Sequence, residues 1–147
     1  MLTGPPTLRM GRDECAECGM IISEDRCSSA LLIERGNPGD REHAMFDDIG
    51  CMLDYEHHLA QETRVVQGFV HDHESRAWVP ASGAFFLYAN RDRLRTPMGS
   101  GIAAFSQRAG ADEARRQFDG EIMDYQKLGP ARRAWMEARY GKPSNSP

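Results

Sequence analysis

The feature that most constrains the fold is an order of short segments, strand, strand, helix, strand, that occurs in each half of the chain. In the first half the segments are strands at 28–34 and His43–Phe46, a helix at Gly50–Gln61 and a strand at Thr63–Val70. The turn-forming residues 35–40 predict that the first two strands form a hairpin, and Asp47 or Asp48 can cap the helix. The first half is therefore predicted to be a ββαβ unit.

The second half shows the same order with different residues. Its segments are strands at Ala84–Asn90 and Gly101–Gln107, a helix at Ala111–Asp119 and a strand at Glu121–Gln126. Pro130 and Gly141 bound a final helix, which we expect to pack on the second unit. The predicted fold class is α+β: two small duplicated ββαβ units packed together, with a C-terminal helix.

These segments divide the chain into five parts. We predict a flexible N-terminal segment at 1–12, a first ββαβ unit at 13–74, a second at 75–128, a C-terminal helix at 129–141 and a disordered tail at 142–147. A chain of 147 residues can bury a core as one domain or as two very small ones. This length excludes a large multidomain enzyme.

Charge and hydropathy exclude further classes. The net charge is −4, from 22 acidic and 18 basic residues, so we expect no nucleic-acid partner. The longest apolar run, around residues 84–89, is far shorter than the roughly 20 residues of a membrane span. Because the first fourteen residues lack the apolar stretch of a secretory signal, we expect a cytoplasmic protein if the chain is complete as given. If a signal preceded it, we expect an extracytoplasmic protein, periplasmic or membrane-anchored.

Sulfur ligands are the next distinctive feature. Four cysteines are too few for a disulfide scaffold, and Cys15 and Cys18 form a C-x-x-C, which favours metal or redox chemistry. In an extended chain, the side chains of Cys18 and Met20 would point to the same face. A thiolate with a thioether suits Cu(I), whereas zinc prefers thiolate, imidazole or carboxylate. We predict that Cys18-Gly19-Met20 is half of a soft metal site.

A second segment, Thr96–Gly101 with the sequence T-P-M-G-S-G, places Met98 between two predicted strands. Core methionines rarely lie on such a turn. Pro97 fixes the backbone where the turn begins, and the glycines permit tight geometry. This segment, called the Met98 turn below, is predicted to present one rigid soft ligand.

Four other residues are candidate accessory ligands. Cys15 is an accessory thiol that could replace a ligand or oxidise with Cys18. His43, Asp47 and Asp48 surround the second strand and its turn into the helix, and together would form a second, harder site for a divalent metal. For Asp47 or Asp48, the role of helix cap is favoured over that of metal ligand.

The motifs together resemble the NosL family. They are Cys15–Met20, Phe46–Leu53, Trp78 followed by Ala84–Leu87, and the Met98 turn. The resemblance spans about residues 13–128 with the motifs in family order. The Met98 turn, following the sequence A-F-F-L, is its most specific part.

NosL is the accessory copper chaperone of nitrous oxide reductase, so the resemblance implies a function. It implies two ββαβ units that share a Cu(I) site, with Cys18, Met20 and Met98 as the matching ligands. It also implies that the protein delivers copper to nitrous oxide reductase or another copper client. The expected partners are therefore this client and the client's copper-delivery machinery. NosL proteins are usually lipoproteins with a signal and a lipid-bearing cysteine, and neither is visible here.

An alternative function from another class remains open. Cys15 and Cys18, with Cys27 or Cys51, would form a zinc-binding or thiol-redox module, as in small heavy-metal sensors. An enzyme is not expected, because the chain has no glycine-rich phosphate loop, no G-x-S-x-G and no H-E-x-x-H. Replacing Met98 separates the two functions, since a zinc or redox module would not depend on it.

Overall fold

A computed structural model describes residues 1–142 of the chain. These residues form two antiparallel sheets and three α-helices, so the predicted α+β class is confirmed. Of the predicted disordered tail at 142–147, residues 143–147 lie outside the described residues. No helix within residues 1–142 is both long and apolar enough to cross a membrane.

The first sheet contains four strands. They are β1 (Ser29–Arg35), β2 (Arg41–Phe46), β3 (Thr63–His71) and β4 (Trp78–Pro80), arranged in the order β2-β1-β3-β4. Strand β1 is central and buried from Ser29 to Glu34, which explains why its sequence is an almost continuous apolar run. The short β4 was not predicted. It pairs with the end of β3 through Phe69, Val70 and His71.

Helix α1 (Ile49–His57) follows β2 and begins at Asp48, which is the N-cap. The predicted helix extended to Gln61, which is wrong by about one turn. The amide of Thr63 donates to the carbonyl oxygen of Ala60 at 3.0 Å, so the residues after His57 form the turn that leads into β3.

The second sheet is smaller. Its strands are β5 (Phe85–Tyr88), β6 (Ile102–Phe105) and β7 (Glu121–Met123), in the order β6-β5-β7, and helix α2 (Arg108–Phe118) connects β6 to β7. Helix α2 buries Ala111 and Ala114 against this sheet. In both sheets the first strand in sequence lies between the second and the third. That the two halves are duplicates with the boundaries given above stays a prediction.

The two sheets share one hydrophobic core. Large side chains from both halves meet there, including Leu31, Phe46, Met52, Phe86, Ile102 and Leu128. The sheets are also joined at the backbone, because the amide of His73 donates to the carbonyl oxygen of Ala104 at 2.8 Å. Beside it, the Asp72 carboxylate accepts hydrogen bonds from both the amide and the hydroxyl of Ser106.

Helix α3 (Tyr125–Tyr140) starts earlier than predicted. Pro130 was taken as its first residue, but Asp124 is the N-cap and its side chain accepts a hydrogen bond from the amide of Lys127 at 2.9 Å. The predicted strand Glu121–Gln126 is shortened to Glu121–Met123 for the same reason. Pro130 therefore lies inside the helix.

Helix α3 also joins the two halves, whereas we expected it to pack on the second unit alone. It contacts β5 and α1. The Arg132 guanidinium makes two hydrogen bonds, at 3.1 and 3.0 Å, to the Asp54 carboxylate of α1. The Tyr125 hydroxyl donates to Glu56 of α1 at 2.5 Å. The position of α3 therefore depends on polar contacts with the first half.

We expect Arg132→Met to lower the free energy of unfolding by about 3 kcal/mol, because it leaves the largely buried Asp54 carboxylate without its partner. Urea denaturation of the reduced apoprotein measures this change. Arg133→Met, one residue further along and exposed, is the matched control, with an expected change within about 0.5 kcal/mol. Equal losses in both variants would contradict the role given to the Arg132–Asp54 pair.

Candidate metal site

The loop that carries Cys15, Cys18 and Met20 is a tight turn and not an extended strand. The amide of Cys15 donates to the carbonyl oxygen of Met20 at 2.8 Å, and that of Gly19 donates to the carbonyl of Cys15 at 2.9 Å. Gly19 has φ +79°, which a residue with a side chain rarely adopts. The strand geometry used to place Cys18 and Met20 on one face therefore does not apply. Cys18 is half-buried, and Met20 is 56% exposed.

Four donor atoms meet where this loop packs against the start of α1. They are the sulfurs of Cys15, Cys18 and Cys51 and a carboxylate oxygen of Asp47, all within 4.8 Å of one another. The amide of Ala16 donates to the carbonyl of Met45 at 2.7 Å, which fixes the loop beside the end of β2. We call this group the thiol cluster.

Hydrogen bonds connect the members of the thiol cluster. The Cys18 thiol lies 3.4 Å from an oxygen of Asp47, and the Cys18 amide lies 3.4 Å from the sulfur of Cys15. Contact with the Cys51 thiol lowers the pKa of Cys15 to about 6, and the same contact raises the pKa of Cys51. Burial raises the pKa of Cys18 to about 11. Cys15 is therefore the most acidic thiol of the cluster.

The chemistry of the thiol cluster fits a thiophilic metal. All four cysteines are free thiols, and three of them are in the cluster. Tetrahedral zinc with bonds of about 2.3 Å needs sulfurs roughly 3.8 Å apart, so the cluster would have to contract by up to about 1 Å. Cu(I) accepts two or three such ligands without completing a tetrahedron.

Cys51 was not among the predicted ligands of the copper site. It appeared only as one of two partners, with Cys27, in the zinc alternative. Cys27 is buried beside Glu24 and is not among the donors that meet in the described part of the chain. A signal for Cys51 was available in the sequence: it lies in the first turn of the helix that Asp48 caps, four residues after Asp47.

The Asp48 carboxylate joins α1 to the Met98 turn. Its Oδ1 accepts hydrogen bonds from the amide of Gly50, at 2.8 Å, and from the Ser100 hydroxyl. Its Oδ2 accepts from the Thr96 hydroxyl at 2.7 Å and from the Met98 amide at 2.9 Å. The role of Asp48 as helix cap is confirmed, and both of its oxygens are engaged.

The close approach of α1 and the Met98 turn requires a small residue at position 50. A Cβ on Gly50 would lie 2.7 Å from the Cβ of Ser100 and 3.1 Å from the guanidinium carbon of Arg132. The sequence D-I-G therefore supplies both the carboxylate and the space for this contact.

A groove of about 280 Å³ opens beside the thiol cluster and brings the two halves of the sequence together. Cys18 and Cys51 line one side, Met98 lies on the Met98 turn, and Trp135 and Met136 of α3 complete it. Met98 is 46% exposed, as expected for a methionine on a turn. Met136 was not predicted, because nothing in its local sequence distinguishes it from a packing residue.

The other predicted ligands lie in different places. Met20 is on the same loop as Cys18 but does not line the groove. His43 is on β2, with Nε2 2.7 Å from the carbonyl oxygen of Gly4 in the N-terminal segment. Within residues 1–142, the donors that meet include Asp47 but neither His43 nor Asp48.

Comparisons with known proteins agree with this α+β fold. The model of the NosL family matches residues 7–132, and the chain belongs to that family. The crystal structure of the copper chaperone NosL from Shewanella denitrificans matches with a TM-score of 0.64 and 19% identity, covering 84% of this chain and 96% of that one. A comparison with curated proteins found no match. The family match supports the expectation that the chain is not an enzyme.

We expect Asp48→Asn to destabilise the protein by about 3 kcal/mol, because the Asp48 carboxylate accepts five hydrogen bonds through two oxygens and an amide offers only one acceptor oxygen. Chemical denaturation measures the loss, and methyl NMR relaxation of Met98 should show increased motion. Asp47→Asn is the control, since Asp47 accepts a single side-chain hydrogen bond, from a thiol. A rigid Met98 in Asp48→Asn would contradict the proposed link.

Proposed function

We propose that this protein is a copper chaperone that binds Cu(I) through Cys18 and Met98, with Met20, which lies outside the groove, as a third ligand implied by the family resemblance. The observation that carries the proposal is that Cys18 and Met98, from separate halves of the chain, line one groove. One thiolate with thioether ligands is a soft donor set that favours Cu(I).

The site is suited to a metal that must be released. Met98 and Met20 are 46% and 56% exposed, so an acceptor can approach the metal from solvent. The sulfurs of Cys15 and Cys51 lie within 4.8 Å of that of Cys18 and would supply accessory thiols that replace a thioether while copper enters or leaves. An open site with two or three ligands allows such exchange without unfolding.

The client belongs to the same proposal. Membership of the NosL family and a fold shared with a protein described as a copper chaperone support a role in copper delivery. By its family resemblance, we propose that this chain helps to assemble nitrous oxide reductase, and so contributes to denitrification. Copper would reach the chain from the delivery machinery of that client.

The zinc or thiol-redox alternative is favoured by one observation, the Asp47 carboxylate within the thiol cluster. Three thiols and a carboxylate are a donor set that zinc accepts. This site would use Cys15, Cys18 and Cys51 and would leave Met98 without a role.

Metal competition distinguishes the two functions. We expect the reduced protein, under anaerobic conditions, to bind one Cu(I) far more tightly than Zn(II) in titrations against chelators for each metal, because thioethers are poor zinc ligands. Cys18→Ser should weaken Cu(I) binding by at least about tenfold, and Cys27→Ser, outside the thiol cluster, should leave it unchanged. Zinc binding of equal strength that survives Met98→Ala would favour the alternative.

The Met98 ligand has its own test. Met98→Ala should leave the melting temperature of the apoprotein nearly unchanged, because an exposed side chain contributes little to the core. The rise in melting temperature on adding Cu(I) should shrink, because binding to the folded state is weaker. Met10→Ala removes a methionine of similar exposure, 44%, and is the matched control. Unchanged copper binding together with a less stable apoprotein would make Met98 a packing residue.

A further inference from the structure

Three arginines surround the outer side of the Met98 turn. The guanidinium carbon of Arg91 lies 4.4 Å from the ring centre of Trp135, and that of Arg139 lies 5.6 Å from it. The Nε of Arg91 donates to the carbonyl oxygen of Gly99 at 2.7 Å. Together with Arg95 these residues line one surface hollow, and we call them the arginine patch.

This hollow is next to the groove that contains Cys18. Its volume is about 510 Å³, and Thr96, Pro97 and Gly99 form one wall. Arg91 lines both the hollow and the groove, so the Met98 turn lies between them. A molecule bound to the arginine patch would therefore be in contact with the segment that presents Met98.

The charges of the arginine patch are not neutralised. Among residues 1–142, no carboxylate lies within ion-pair distance of Arg91, Arg95 or Arg139. Asp92 also lines the hollow but forms no ion pair with these three arginines. By contrast, the largely buried Arg132 is paired with Asp54. This local excess of positive charge occurs in a chain whose net charge is −4.

The geometry favours carboxylates as the ligand. Arginine nitrogens can donate two parallel hydrogen bonds to a carboxylate. Stacking on Trp135 and the bond to Gly99 hold the Arg91 guanidinium in place, so less conformational entropy is lost when it binds. A long polyanion such as nucleic acid would extend beyond the patch onto the surface of a chain whose net charge is −4.

We propose that the arginine patch docks an acidic surface of the protein that exchanges metal with the groove. Complementary charge speeds encounter and sets orientation more than it adds affinity, which suits a transient transfer complex. The role in metal exchange rests on the proposed function, but carboxylate binding by the patch does not require copper.

The test uses the reduced apoprotein and a fluorescent oligoglutamate peptide, with binding followed by anisotropy. We expect Arg95→Glu/Arg139→Glu to weaken binding by about tenfold. The matched control is Arg12→Glu/Arg115→Glu, which changes the net charge equally at exposed arginines outside the hollow and should bind like the parent. Raising the ionic strength from about 0.01 M to about 0.15 M, which shortens the Debye length from roughly 30 to 8 Å, should weaken binding by the parent.

Equal weakening in the two double variants would overturn the proposal, because binding would then reflect net charge alone. Tighter binding of single-stranded DNA than of oligoglutamate at the same patch would also overturn it, in favour of a nucleic-acid ligand.

A second measurement uses the copper-loaded chain. The patch variant should slow copper removal by an anionic chelator and leave removal by an uncharged chelator unchanged. If both chelators respond equally, the patch does not guide acidic partners. If the chain holds no copper while the peptide result stands, the proposed function fails and carboxylate docking survives.

Discussion

The structure of the groove depends on one buried carboxylate. Asp48 caps the helix that contributes Cys51 and also receives hydrogen bonds from Thr96, Met98 and Ser100. A charged acceptor inside a protein is tolerated when its oxygens are fully hydrogen-bonded, and such bonds are stronger than neutral ones. One side chain therefore fixes the separation between the thiol cluster and the Met98 turn.

The two kinds of sulfur ligand are held in different ways. The thiols of Cys15 and Cys51 are buried and in contact, so their positions are set by the packing of the loop against α1. The thioether of Met98 is exposed. The hydrogen bond from the Met98 amide to Asp48 fixes the backbone of the turn but not the side chain. Cys18 is half-buried; it belongs to the thiol cluster and also lines the groove with Met98. Under the proposed function, a metal on Cys18 would therefore lie between the two kinds of sulfur donor.

Much of the fold could be predicted because local patterns specify it. The apolar run of β1 and the Asp48 cap of α1 are readable without tertiary information. The three residues of β4 were missed, since so short a strand is defined by its partner β3. The start of α3 was placed too late because the Asp124 cap outweighs the signal of Pro130.

The candidate site was less predictable than the fold. Cys18 lies in the groove, but the positive φ of Gly19 shows that the strand geometry used to group Cys18 with Met20 does not apply. Met136 joins the groove through the packing of α3, which no local pattern specifies, whereas Cys51 had a local signal in its place in the first turn of α1.

The residues that line the groove are spread along almost the whole chain. Cys18 lies near its beginning, Met98 at about two thirds of its length, and Trp135 and Met136 in the last helix. During synthesis the three thiols of the cluster leave the ribosome well before the thioether of Met98 and the wall that α3 provides. A chain that lacks Met98 and α3 therefore contains every residue of the thiol cluster but cannot form the groove. Under the proposed function, the donor set that includes Met98 would therefore be complete only after α3 has been synthesised and has docked.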